Sequence, residues 1–360
     1  LDRVFDECVQ AFKGSIDTAL SGGYDSRLIL AHLLKREVTP KVHVYGSDVD
    51  ADVQVAKIIA AGEMFPITHI DKSRQRSELS VAEWVETIER NYQAFDGLPT
   101  DGIFDCGVDL ATRQDRARHG ALALNGGGGE IFRNFFYLRD RPFSALELVW
   151  TFYSQFDARC IAADNDPREY QERIAEKIRH TVGVTGRRLT RAEVERVYPL
   201  FRCRYWMGKN SSINNRLGLM HTPLVESVLV EMAGSAQMSV KNSGRLASCL
   251  IQNASPKLAS YQSAYGRSFV SQPSFADRLA ESISLAKPPR IRKMIFPIRM
   301  ILRERALKNG KHKYDDLEEL ELAHESSISS LFRREKILEN SQFLRLRTLD
   351  YLCNKTGVTL

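Results

Sequence analysis

The chain has 360 residues, 43% hydrophobic and 27% charged, with a formal net charge of +6. Those figures allow one large buried core or two smaller ones, and they argue against a disordered chain or a strongly basic nucleic-acid binder. No apolar run is long enough to span a bilayer, the N-terminal residues lack the order of a secretory signal, and the six scattered cysteines form no C-x-x-C pair, so the cytoplasm is expected and a zinc or dithiol module is not.

The chain begins at Leu1 without Met, directly in a helical pattern of Leu1, Val4, Phe5, Cys8, Val9 and Phe12. Short apolar runs then alternate with helical patterns, the order that builds a parallel sheet covered by helices. Strands are predicted at Ser15–Leu20, Val42–Tyr45, Phe65–Ile70 and Ala121–Leu124, and helices at Ser26–Lys35, Ala51–Ala61, Val81–Phe95 and Phe104–Ala117. Asp71–Glu78 reads as a loop and Pro99–Gly102 as a turn. Beyond Arg141 the pattern is helical, with helices predicted at Leu146–Phe156, Arg168–Val182, Arg191–Val197, Leu224–Met232 and Leu331–Tyr351. The expected fold is therefore α/β: a nucleotide-binding domain over 1–140 with a parallel sheet and flanking helices, then a mainly helical region over 141–360.

Between the first strand and its helix lies Ser21-Gly22-Gly23-Tyr24-Asp25-Ser26. Two glycines let the backbone turn tightly and approach a ligand, and the next helix points its positive end at the same spot, so an anion is expected there. Ser21 and Ser26 can donate hydroxyl hydrogen bonds. Asp25 suits a Mg2+ that bridges phosphate oxygens better than it suits phosphate itself. The segment is neither G-x-x-x-x-G-K-[ST] nor G-x-G-x-x-G. A plain glycine turn with a helix N-cap at Asp25 or Ser26 is the bland alternative.

The segment resembles the S-G-G-x-D-S signature of the PP-loop ATP pyrophosphatases. Within that superfamily the chain is similar to the synthetase domain of asparagine synthetase. Val44-Tyr45-Gly46 with Asp48, Asp50 and Asp52 looks like that family's second βα unit, Leu124-Asn125-Gly126-Gly127-Gly128-Gly129-Glu130-Ile131-Phe132 is similar to its L-S-G-x-G-x-D-E-x-F, and Thr222-Pro223-Leu224 with Leu229-Val230-Glu231-Met232-Ala233 resembles its V-P-F-L-D and L-V-E-x-A. These matches run in the family's order over about the first 235 residues.

The resemblance implies an ATP-dependent, AMP-forming carbon–nitrogen ligase that uses ATP and Mg2+, activates a small-molecule carboxylate as its adenylate and forms an amide with ammonia or an amine. It implies that Leu20, Tyr45, Asn125 and Gly126 surround adenosine, that Ser21, Gly22, Gly23, Asp25 and Ser26 hold the phosphates, and that Asp25 and Glu130 supply carboxylates to metal and chemistry. Three departures stand out. The second glycine loop is one residue shorter than the pattern, with Gly129-Glu130 in place of D-E. The family's E-x-R before V-P appears as Leu219, Met220 and His221, and a downstream lysine as Arg267, which can neutralise phosphate as a third catalytic candidate but cannot exchange a proton near neutral pH. These changes point to an acyl acceptor unlike that of a standard asparagine synthetase. A glutaminase half that supplies ammonia is expected upstream of Leu1, and a stand-alone ligase taking a free amine fits the residues equally well.

The eight histidines contain no H-E-x-x-H pair. The basic stretch Lys287–Lys313 reads as an amphipathic helix with a solvated face in preference to a nucleic-acid or membrane contact. Two other functions remain open: a degenerate nucleotide-binding domain without ligase activity, suggested by the missing carboxylate and lysine, and a tRNA-modifying PP-loop enzyme, suggested by the basic stretch.

Overall fold

A computed structural model of the chain describes residues 1–71, 79–95, 103–153, 158–162, 166–306, 331–333, 336–337 and 340–358. The loop read at Asp71–Glu78, apart from Asp71, the turn at Pro99–Gly102 and the end of the basic stretch beyond residue 306 lie outside them. The chain divides into two compact units: Leu1–Ser77, Ala111–Phe143 and Thr181–Ala286 make the first, and Glu78–Leu110, Ser144–His180 and Lys287–Leu360 the second. The first unit thus draws residues from both sides of the 140/141 boundary.

The first unit is built on five parallel strands, β1 (Ile16–Ala19), β2 (Lys41–Tyr45), β3 (Ile67–Ile70), β4 (Leu122–Leu124) and β5 (Met220–His221), in the order β3-β2-β1-β4-β5. The chain steps outward from β1 to β3, then returns to the other side of β1 for β4. The order therefore reverses between β1 and β4, the kind of position at which ligands bind beyond the carboxyl ends of strands in open α/β sheets. The strands fall where the short apolar runs predict them, except β5. That strand has two residues and no pattern of its own; it exists because Ala123 and Leu124 offer an open edge to Met220 and His221.

Helix α1 spans Asp2–Phe12, α2 Tyr24–Leu34 and α3 Ala51–Gly62. The first follows from its apolar stripe, and Phe5 stacks on His32 of α2 at 4.8 Å. Burial pushes the His32 imidazole down to about 4. Nearly every residue of α2 after Ser26 is buried, as expected of a helix that is apolar all round. It even buries Arg27 completely, whose guanidinium donates to the carbonyls of Tyr261 (2.8 Å) and Gln262 (3.0 Å) and lies 4.6 Å from the centre of the Phe269 ring. Those bonds hold the 261–269 segment over the start of α2.

A second buried charge sits inside the sheet. Asp17 of β1 is 1% exposed and accepts from Arg116 Nε at 2.6 Å, with His43 of β2 3.4 Å away. Burial alone raises the carboxyl, but His43 and Arg116 outweigh it and hold it below the usual carboxylate range.

The helical pattern expected beyond Arg141 holds with changed bounds: the helix read at Leu331–Tyr351 is Asn340–Thr356, and Phe332 pairs with Ile161 in an isolated bridge instead. Within the first unit, Arg191–Val197 continues without a break through a π-helical stretch, Tyr198–Met207, into an α-helix over Gly208–Leu217. Helix Arg245–Ala254 packs on α2, and Ser227–Ser235 replaces the helix expected from Leu224, because Pro223–Val225 forms a separate 3₁₀ turn.

The second unit carries helices at Val81–Phe95, Pro289–Ala306 and Asn340–Thr356, with a core of Trp84, Ile88, Phe104, Phe343 and Leu344. The buried Asn91 donates to the carbonyls of Ile103 and Asp105 and fixes the chain beside Val81–Phe95. In Pro289–Ala306 the expected solvated face carries exposed Ile291, Met294, Ile298 and Leu302 as well as cations. No helix among the described residues is long and apolar enough to cross a membrane.

Replacing Arg116 by Met leaves Asp17 buried without its guanidinium. Urea unfolding is expected to show a loss of about 3 kcal/mol, and Asp17→Asn in the same chain should restore part of it.

Candidate functional site

The segment Ser21–Ser26 leaves the carboxyl end of β1 and starts α2, as its glycines and hydroxyls require. Leu20 is buried and donates its N–H to the His43 carbonyl at 2.8 Å, so the strand pairing runs up to the loop itself. Within the loop, Ser21 N–H donates to Ser26 Oγ at 2.9 Å, the two hydroxyls lie 3.0 Å apart, and Gly23 N–H donates to Ser21 Oγ at 3.2 Å. Gly22 N–H donates to Asp52 Oδ1 of α3 at 2.7 Å. A Cβ on Gly22 would stand 2.6 Å from the Ala264 Cβ, because the segment held by Arg27 crosses the loop there. Glycine is needed at 22 for that close approach. At the N-terminus of α2, Gly23 supplies no side-chain cap, so the first-turn N–H groups keep the positive character that suits an anion.

The second glycine run follows β4 in the same way. Asn125 N–H donates to the His221 carbonyl of β5, and its side chain accepts from Gly127 N–H at 2.8 Å. Gly128 has a φ of 93° and lies against Val225, where any Cβ would come within 2.1 Å of a methyl. Gly129 faces Asp25: a Cβ there would stand 2.3 Å from Asp25 Oδ1. The glycine found in place of the expected carboxylate is thus the residue that lets the two loops touch.

A 3₁₀ turn over Gly129–Phe132 then brings Glu130 to the same place. Arg133 joins the two carboxylates: its Nη2 donates to Asp25 Oδ2 at 2.9 Å and Oδ1 at 3.2 Å and lies 3.8 Å from Glu130 Oε1. Tyr198, the first residue of the π-helical stretch, donates its hydroxyl to Glu130 Oε2 at 2.5 Å. Burial pushes the Asp25 carboxyl up to about 7; Arg133 opposes this and Glu130 adds to it. Burial, then the neighbouring Glu130, likewise pushes the Tyr198 phenol far above its ordinary range.

The structure brings Ser21, Gly22, Gly23, Asp25, Ser26, Asn125, Gly126 and Glu130 together at the β1/β4 reversal. Gly126 lies against the start of α2, where a Cβ would sit 3.2 Å from Ser26 N. Tyr45 ends β2 next to β1, its ring edge-on to His43 at 4.9 Å. Arg267 is turned away from the carboxylates: its Nη2 donates to the Tyr24 hydroxyl at 3.0 Å and to the Ser243 carbonyl at 3.1 Å. Leu219 and His221 form no charge pair with each other; His221 Nε2 lies 3.3 Å from Glu226 Oε1.

Arg133, Tyr198 and the crossing Ala264 were not legible as site residues. Arg133 carried a signal, being three residues after Glu130 and so on the same side of one turn. Tyr198 and Ala264 carried none, since only the folded chain brings them near.

Behind the second loop lies a cavity of about 950 Å3. Its walls include Met207 and Val225, the side chains that leave no room for a Cβ on Gly127 and Gly128. Thr222 also lines it, and its buried hydroxyl oxygen has no hydrogen-bond partner. Among the described residues no group of three or more His, Cys, Asp or Glu side chains could hold a metal ion by itself. Asp25 and Glu130, which lie beside the same Arg133 nitrogen, would give a Mg2+ two carboxylates and leave its remaining ligands to a bound molecule and water. No protein-family model matches the chain, and neither does any curated protein.

Two measurements follow from this geometry. Gly129→Ala is expected to destabilise the chain by roughly 1–3 kcal/mol and to cost clearly less in an Asp25→Ala background, a non-additivity that a double-mutant cycle in urea measures. A carboxyl raised to about 7 in the folded state is protonated in both states below about pH 4 and loses folded-state stability as pH rises through about 7. Asp25→Asn should therefore gain stability relative to wild type between about pH 4 and pH 7 and hold that difference above it.

Proposed function

We propose that the chain is an AMP-forming ligase of the asparagine-synthetase type, which binds ATP at Ser21–Ser26, adenylates a small-molecule carboxylate and forms an amide with ammonia or an amine. The observation that carries this reading is the contact of two glycine loops at the reversal of a parallel sheet, with Asp25, in the first turn of α2, and Glu130 both beside Arg133 Nη2. The strand order and the loop between β1 and α2 support a PP-loop sheet.

On this reading the first-turn N–H groups of α2 and the hydroxyls of Ser21 and Ser26 hold the phosphate chain. Leu20, Tyr45, Asn125 and Gly126 border the adenosine, and Asp25 and Glu130 hold Mg2+. When bound, the ion neutralises charge that develops on the departing pyrophosphate. The attacking carboxylate joins the α-phosphorus, pyrophosphate leaves, and the amine then displaces AMP. The cavity behind the second loop offers the space for the substrate. Arg267 acts through Tyr24, whose ring stacks with Tyr265 and Phe269, and steadies the roof of the loop.

One observation favours a second reading, a nucleotide-binding domain that does not cleave ATP: the carboxylate expected to take metal is already paired with Arg133. Exchange of labelled pyrophosphate into ATP separates the two. With a panel of carboxylic acids the ligase shows acid-dependent exchange, lowered on the order of 10²-fold or more by Asp25→Ala. ATP binding without exchange for any acid sinks the ligase reading and leaves the second.

A further inference from the structure

Arg133 pairs with its carboxylates in an unusual way. A guanidinium binds a carboxylate best through two nitrogens on two oxygens. Here a single nitrogen, Nη2, serves both oxygens of Asp25 and lies beside Glu130, while the buried Nε has no hydrogen-bond partner. Nε is thus left unused inside a partly closed site, where the Tyr265 phenol also adjoins the guanidinium and the side chains of Asp25, Glu130 and Arg133 keep only 22%, 27% and 23% of their surface exposed. The Tyr24 ring lies 5.3 Å from the guanidinium carbon and supports it from the side of α2. Burial opposes the charge on Arg133, but attraction to Asp25 and Glu130 outweighs it and holds the guanidinium above its ordinary range.

Nη2 therefore occupies the neighbourhood of both oxygens that a divalent ion would need. A free ion has to displace the guanidinium and shed water for only two carboxylate ligands. A phosphate chain changes that balance, because it offers Arg133 a better bidentate partner and gives the ion additional oxygen ligands.

We infer that Arg133 is the resident cation of the Asp25–Glu130 pair, a positioning residue that keeps a free divalent ion out of the site and moves onto the phosphate chain when nucleotide and metal enter together. The second half rests on the proposed ATP reading; the first half does not. Metal and nucleotide affinities are then coupled, each tightening the other by the same factor.

The test is titration of the purified chain with MnCl2, followed by calorimetry and by the electron-spin signal of free Mn2+, with and without α,β-methylene-ATP. Wild type alone should bind Mn2+ weakly, and the ATP analogue should tighten it. Arg133→Met should bind Mn2+ on the order of tenfold tighter than wild type without nucleotide, and Asp25→Asn in that background should abolish the gain. Equal Mn2+ affinity in wild type and Arg133→Met overturns the inference, as does a gain that survives Asp25→Asn. If circular dichroism shows Arg133→Met unfolded, Arg133→Gln, which keeps a donor for Asp25 without the charge, is read by the same criteria. If wild type binds no ATP analogue with or without Mn2+, the ligase reading fails, while Mn2+ titration without nucleotide still decides the role of Arg133.

Discussion

The approach of the Asp25 carboxylate to the bare Cα of Gly129 is the contact on which the site depends. It lets the turn after β4 lie against the turn after β1, so two loops more than 100 residues apart in sequence share one set of charges. Any side chain at 129 forces the loops apart or turns Asp25 away. The sheet reversal supplies the location, because the carboxyl ends of β1 and β4 adjoin there.

Much of the first unit keeps that contact in place. Arg27 sits fully buried on α2 and ties down residues 261–262, which brings Ala264 across Gly22. The Ala264 N–H then donates to the Gly22 carbonyl at 3.1 Å. Behind Glu130, Arg191 and the fully buried Lys241 share Glu195, and Arg191 also donates to Asn134, one residue after Arg133. Buried charges of this kind are costly unless every partner is present, so they fix one arrangement more than they add stability. The π-helical stretch Tyr198–Met207 serves both sides of the second loop, giving Tyr198 to Glu130 and Met207 to the cavity wall. Such stretches occur where a helix must re-aim side chains toward a site.

The electrostatics of the cluster are unbalanced without a ligand. Two carboxylates share one guanidinium, Tyr198 donates to one of them, and burial already disfavours the charge on Asp25. On the proposed reading, a divalent cation beside the two carboxylates would balance them by itself and free the guanidinium for the negative phosphate chain. This is the physical reason to expect nucleotide and metal to act on Arg133 together.

The sequence by itself determined the local parts: four of the five strands, the helix after each of the first two, and the Ser21–Ser26 loop with Asp25 at the start of α2. These depend on apolar period, glycine and hydroxyl placement over a few residues, all carried within one stretch of chain. The tertiary structure alone decided β5, the closure of Ala264 over Gly22, the diversion of Arg267 to Tyr24, and the meeting of Asp25, Glu130, Arg133 and Tyr198. It also gave Gly129 its meaning. As sequence it is a missing carboxylate; in the fold it is the space that another carboxylate fills. Each of these depends on which distant residue arrives at a given edge or loop, and that is set by the packing of the whole unit.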